Sequence, residues 1–237
     1  VTDGWFASGE PAFSSDGKYL FFVSNRDFNP TYGQTDRDFI YSDLQRIYFV
    51  TLDRSTKSPF EPKSDEVKIT ENESKESAGK DKKKEEEQKK SVVVKVDESG
   101  LKNRIIELPV TASSYRNLAS VGERLYYVRS GSKDEKPKLL MFELDKQKET
   151  ELGEVNGFEV SANGKKMIVG QQGSYAILDV PTSRLDLKER LNLSDMKMNL
   201  DRSAEWRQIY NECWRQMRDF FYAPNMNGVN WAGVRKT

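Results

Sequence analysis

The chain has 237 residues, with 38 Lys and Arg against 38 Asp and Glu, so its formal net charge is zero. The zero balance removes the electrostatic footprint of a nucleic-acid binder, and no run approaches the roughly 18 apolar residues of a membrane span. The single Cys213 excludes internal disulfides and cysteine-cluster zinc, and the absence of histidine excludes a Ser-His-Asp or Cys-His unit, or a histidine metal site, built from this chain alone.

The first elements are β-like. Lys18–Ser24 (KYLFFVS) is aromatic-rich and bounded by Asp16-Gly17 and Asn25. Arg46–Leu52 (RIYFVTL) is a second such run, followed by the turn-like Asp53–Thr56. Residues 57–91 break the pattern, with only Phe60, Val67, Ile69 and Ala78 as apolar side chains. Such a segment cannot bury enough surface to offset the entropy of ordering its backbone, so a mostly disordered surface insertion is expected over 57–91. Beyond it come Val92–Val96, Arg104–Leu108, Arg124–Arg129, Leu139–Leu144, Lys166–Val169 and Ser174–Val180. Short strands separated by turn residues argue for an all-β repeat or a sandwich rather than βαβ units.

A repeat favours the first. Phe13-Ser-Ser-Asp-Gly-Lys-Tyr-Leu-Phe-Phe-Val, Leu118-Ala-Ser-Val-Gly-Glu-Arg-Leu-Tyr-Tyr-Val and Val160-Ser-Ala-Asn-Gly-Lys-Lys-Met-Ile-Val share an apolar residue, a turn with Gly, charged residues and a strand. Gly fits there because a tight hairpin needs a positive φ. Gly122 and Gly164 lie 42 residues apart and Gly17 and Gly122 lie 105 apart, about two periods once an insertion is subtracted. That period suits four-stranded propeller blades. The expected fold is mainly β: a partial propeller of about three to four four-stranded antiparallel blades over 1–195, then a short helical segment over 196–237. A ring takes four to eight blades, so further blades are expected in a longer parent chain.

From Asp201 the period changes. Trp206, Ile209, Tyr210, Cys213, Trp214, Met217, Phe220 and Phe221 recur every three or four residues, a helical stripe. Asp201 or Ser203 can cap its start, and Pro224 stops it soon after Tyr222. Asn230 then caps a second helix beginning at Trp231. That helix is still being written at Thr237, as expected of a piece of a longer polypeptide.

None of the reactive residues forms a known constellation. Cys213 lies on the apolar stripe without an activating base, so burial in a core is expected of it. There is no Gly-x-Ser-x-Gly elbow, no Walker A loop and no dinucleotide fingerprint. Asp36, Asp38 and Asp43 lack calcium-loop spacing and lie in an aromatic-rich connection, which reads as a long loop on a propeller face; its functional counterpart is a lip that contacts peptide. No catalytic, cofactor-binding or metal-binding residue is assigned, and no cofactor is expected.

The tail is more specific. Glu205-Trp-Arg-Gln-Ile-Tyr-Asn-Glu-Cys-Trp-Arg-Gln-Met-Arg-Asp-Phe-Phe-Tyr222, followed by Met226-Asn-Gly-Val-Asn-Trp231, resembles the opening of the helical domain of the tricorn protease family, which is related to the tail-specific and carboxyl-terminal-processing serine peptidases. Ser24–Pro30, Ile47–Leu52 with Ser58-Pro-Phe60, Val96–Leu101 and Arg104–Pro109 resemble the closing blades of that family's second propeller. The resemblance implies a large serine peptidase that trims oligopeptides, with this chain supplying a channel or gating scaffold and the first helix beneath the active site. The catalytic His and Ser of such an enzyme lie downstream of Thr237. The implied partners are peptide substrates, the remaining domains of the same polypeptide and further copies of the parent. Nucleic acid and a membrane span are not expected. The implied compartment is the cytoplasm, or the periplasm if the parent carries a signal peptide. Two rival readings are a TolB-like propeller acting as a non-enzymatic protein-binding module and a plain β-sandwich.

Overall fold

A computed structural model describes residues 2–28, 30–35, 37–61 and 92–236. Residues 62–91 of the expected insertion lie outside the described residues. The chain divides into two units, 1–191 and 192–237.

The first unit is three antiparallel sheets and a small hairpin. Blade 1 runs in the order β1 (Ser8–Phe13), β2 (Tyr19–Ser24), β5 (Arg46–Thr51), β6 (Ile105–Glu107). Blade 2 is the simple meander β7 (Tyr115–Val121), β8 (Arg124–Arg129), β9 (Lys138–Glu143), β10 (Lys148–Glu154). Blade 3 has three strands, β11 (Gly157–Val160), β12 (Lys166–Gln171) and β13 (Ser174–Asp179). The hairpin β3 (Thr31–Tyr32) and β4 (Phe39–Ile40) interrupts blade 1 between β2 and β5. These are propeller-like blades that do not close into a ring.

Side-chain alternation explains why the blades stack. On β8, Leu125 and Tyr127 point into one core while Tyr126 and Val128 point into another. The first core lies between blades 1 and 2 and gathers Phe21, Phe49, Leu108, Leu140 and Phe142, all at most 2% exposed. The second lies between blades 2 and 3 and gathers Met141, Leu152, Phe158, Met167 and Val169. A strand buried on both faces must be apolar at every position, which is why LYYV and LLMF run without polar interruption. At roughly 1.5–3 kcal/mol for each large side chain taken from water, these two cores dominate the stability of the unit.

The three repeats become three hairpin turns. Gly17, Gly122 and Gly164 adopt φ of +70°, +60° and +67°. In the first turn the Ser14 hydroxyl accepts the Lys18 and Tyr19 N–H groups; in the third, Ser161 accepts the Lys166 N–H.

Two sequence expectations change. Val92–Val96 is no strand: it pairs with no ladder, and Val92 and Val94 lie where a side chain on Gly17 would sit. Val92 and Val94 cover the Gly17 turn and are not ladder residues, while Val93 is exposed. Phe60, assigned above to the insertion, packs edge-on to Phe49 at 5.3 Å and Phe142 at 6.3 Å, so the blade continues into that stretch.

In the second unit α1 (Arg202–Phe220) is capped by Asp201, whose carboxylate accepts the Ser203 and Ala204 N–H groups. Phe221 leaves the helix in extended conformation, three residues before Pro224. Asn230 caps α2 (Trp231–Val234) by accepting the Gly233 N–H. The two helices are clasped by Trp214 and Trp231, whose rings stack 6.2 Å apart at 12°. Each indole N–H donates to the other's backbone carbonyl, at 2.9 and 3.2 Å.

Candidate functional site

The blades meet along one shared line. Their first strands, β1, β7 and β11, approach one another, and the later strands of each sheet lie further out. Polar contacts between successive blades concentrate on this line. The Asn117 N–H donates to Glu10 Oε2 at 2.6 Å, and Asn117 Oδ1 accepts the Phe158 N–H at 3.0 Å. Arg116 reaches the Asn156 carbonyl at 3.0 Å.

A backbone device makes those contacts. The β1–β2 register shifts between Gly9 and Ala12, and the β7–β8 register shifts between Arg116 and Ala119. The extra residue of each bulge is left-handed: Glu10 at φ 53° and Asn117 at φ 60°. A bulge re-aims a side chain and strengthens twist. Here both re-aimed side chains accept a backbone N–H from the next blade. Asn tolerates this conformation better than Glu does. Sequence reasoning missed the line entirely. Its one signal is an Asn among strand-forming residues at 117.

One end of this unit carries the aromatic connection. Phe28 and Tyr41 lie 5.9 Å apart and Tyr32 and Phe39 5.8 Å apart, all more than half exposed. Asp36 lies outside the described residues. Asp38 and Asp43 do not converge. The Asp38 backbone carbonyl closes the hairpin by accepting the Gly33 N–H, while the Asp43 carboxylate accepts the N–H and hydroxyl of Ser132 in blade 2. Asp43 therefore pins the loop base. Among the described residues no group of three acidic, Cys or His side chains is arranged to hold a metal.

Beside that pin sits a charged cluster. Arg129 pairs with Asp134 through two contacts at 3.0 and 3.1 Å, and with Glu149 at 3.5 Å. Burial pushes the Asp134 carboxyl upward, but hydrogen bonds from Arg129 and the Gly131 N–H outweigh it and hold the group below its ordinary value. Tyr127 donates to Glu149 at 2.5 Å, and its phenol is raised well above the ordinary value, first by burial and then by the Glu149 charge. Burial likewise raises Tyr115 to about 12. These side-chain contacts all lie within blade 2. No nucleophile–base pair occurs among them.

Cys213 departs from its expected burial: it is exposed on α1. No residue of α1 is buried within the described residues, and Trp206 and Phe220 are 66% and 85% exposed. No helix among the described residues is long and apolar enough to cross a membrane.

Stacked antiparallel sheets, two of four strands and one of three, whose first strands share one line define a β-propeller, here an arc of one. Residues 1–181 match the tricorn protease second β-propeller domain, and residues 202–237 match the tricorn protease C1 domain. The chain belongs to the tricorn protease family. It is 32% identical over 250 residues to tricorn protease homolog 1 of Streptomyces coelicolor, covering 97% of this chain and 22% of that protein. It is 33% identical over 252 residues to tricorn protease homolog 2 of the same organism, covering 99% of this chain and 21% of that protein. The crystal structure of the tricorn protease superposes with a TM-score of 0.67 at 16% identity, over 99% of this chain and 21% of that one. The chain thus spans about a fifth of the curated relatives it matches.

Proposed function

We propose that this chain is the blade-and-helix portion of a serine peptidase that degrades oligopeptides. The blades frame the passage by which peptide reaches the chemistry, and the helical unit opens the catalytic half. The observation that carries this reading is the convergence of β1, β7 and β11 on one line in a chain whose tail matches the C1 domain. A closed ring built on that line has those strands as its channel wall. Acyl-enzyme chemistry needs a nucleophile, a base and an oxyanion site, and this chain holds no histidine to act as base. The proposed catalytic groups therefore belong to other residues of the polypeptide. Its proposed partners are peptide substrates, the remaining domains and further copies of itself, in the cytoplasm.

The test compares the 237-residue chain with a longer polypeptide containing it, using fluorogenic oligopeptides. The longer protein is expected to turn them over and to lose activity to a serine-reactive phosphonate, while the chain alone does neither. Turnover by the purified chain alone overturns the reading, as does an inert longer protein.

A further inference from the structure

Blade 3 lacks what blades 1 and 2 have. β6 and β10 complete those sheets, but β13 has no paired fourth strand among the described residues. In the β12–β13 ladder Gln171 pairs with Ser174 across the two-residue turn, and Val169 with Ala176. By antiparallel geometry the backbone groups of Tyr175, Ile177 and Asp179 then face the open edge. Of these, the Tyr175 carbonyl accepts the Leu191 N–H at 2.8 Å.

Leu191 ends a segment, Arg184–Leu191, whose first half alternates like a strand over 184–188 and which belongs to no ladder. Leu185 and Leu187 rest on the second core, and the Leu185 N–H donates to the Leu152 carbonyl of β10 at 2.7 Å. Leu185 also fills the space beside Gly153, and Arg190 reaches Gln171 at 3.0 Å. Two backbone bonds, one side-chain bond and two leucines hold these residues. A ladder strand such as β10 pairs with its neighbour at six of its seven residues.

We propose that Arg184–Leu191 is a latch. It seals the outer end of the core between blades 2 and 3 in place of a fourth strand, and it opens by itself while the blades stay folded. It is the last stretch before the helical unit begins at Asn192.

Hydrogen exchange on the full chain tests this. The Leu185 and Leu191 amides are expected to exchange at least about tenfold faster than the ladder amides of β8, β9 and β12, the mark of a local opening below the global one. Leu187→Ala should speed Leu185 and Leu191 by about a further tenfold and leave β8 and β9 unchanged, because the lost contact lies on the latch side of the opening. Arg190→Ala, which removes one exposed bond, should act the same way more weakly and guards against misfolding of the leucine variant. Equal protection of latch and ladders overturns the proposal. So does an acceleration shared by β8 and β9, or a latch indifferent to both substitutions.

Discussion

Gly131 shows how closely single residues join the blades. A Cβ there would lie 2.0 Å from Ser113 Oγ and 2.6 Å from Asp43 Oδ1. Both neighbours are engaged: the Ser113 backbone exchanges hydrogen bonds with Gln45, and Asp43 holds Ser132. Gly131→Ala is therefore expected to cost about 1–3 kcal/mol by forced displacement in a packed site, read as a lowered urea midpoint. The buried tyrosines set a pH dependence. Tyr115, Tyr126 and Tyr127 are all raised above the ordinary phenol value by burial. A raised acid keeps its proton in the folded state after the unfolded chain has lost it. Their contribution is thus fully present below about pH 10 and is lost as pH rises beyond it. Urea midpoints should fall from about pH 10 upward, and Tyr127→Phe should flatten the fall. At neutral pH the same change removes a hydrogen bond to Glu149 and should cost about 1–2 kcal/mol. A midpoint unchanged between pH 9 and pH 12 would refute this.

At the scale of elements, the turn is the repeating unit. Gly122 has a left-handed φ of 60° and nothing within 4 Å of a Cβ built there, so Gly122→Ala isolates backbone strain. The expected loss is about 1 kcal/mol, with Gly122→Asn recovering most of it, because Asn accepts that conformation. Equal losses for Ala and Asn would contradict the account. The strands visible in the sequence, such as β2, β8 and β9, are those buried on both faces. Burial on both faces writes an uninterrupted apolar run. The strands that escaped notice are β1, β7, β10, β11 and the β3–β4 hairpin; β1, β7 and β11 lie at the converging edge and β10 at the outer edge of blade 2. At these edges bulges, polar residues and exposure erase the alternation, as in SGEPAF. The same cause hid the Glu10–Asn117–Phe158 line, which depends on backbone register rather than residue type. Val92–Val96 misled in the opposite sense, since apolar cover and apolar ladder look alike in sequence. Both helices and their N-terminal caps were legible because Asp201 and Asn230 act through local bonds.

At the scale of the whole molecule, each blade is stable because its faces are covered by neighbours. Blade 2 has a core on each side. The far face of blade 1 is covered in part by its own chain, with the Arg26 guanidinium 5.3–5.8 Å from the rings of Phe6, Phe22 and Tyr48. The far face of blade 3 is barer, with Tyr175 at 44% and Ile177 at 54% exposure. Beside them Gly157, Ile168 and Gly170 line a shallow groove of about 340 Å³. The account rests on these sheets being an arc of a larger ring. An experimental structure of a longer polypeptide that contains this chain tests that most directly. The account predicts a further four-stranded sheet seated on Ile168, Tyr175 and Ile177, with β1, β7 and β11 lining a central channel. A structure in which that face stays bare and the three first strands border no channel would contradict it.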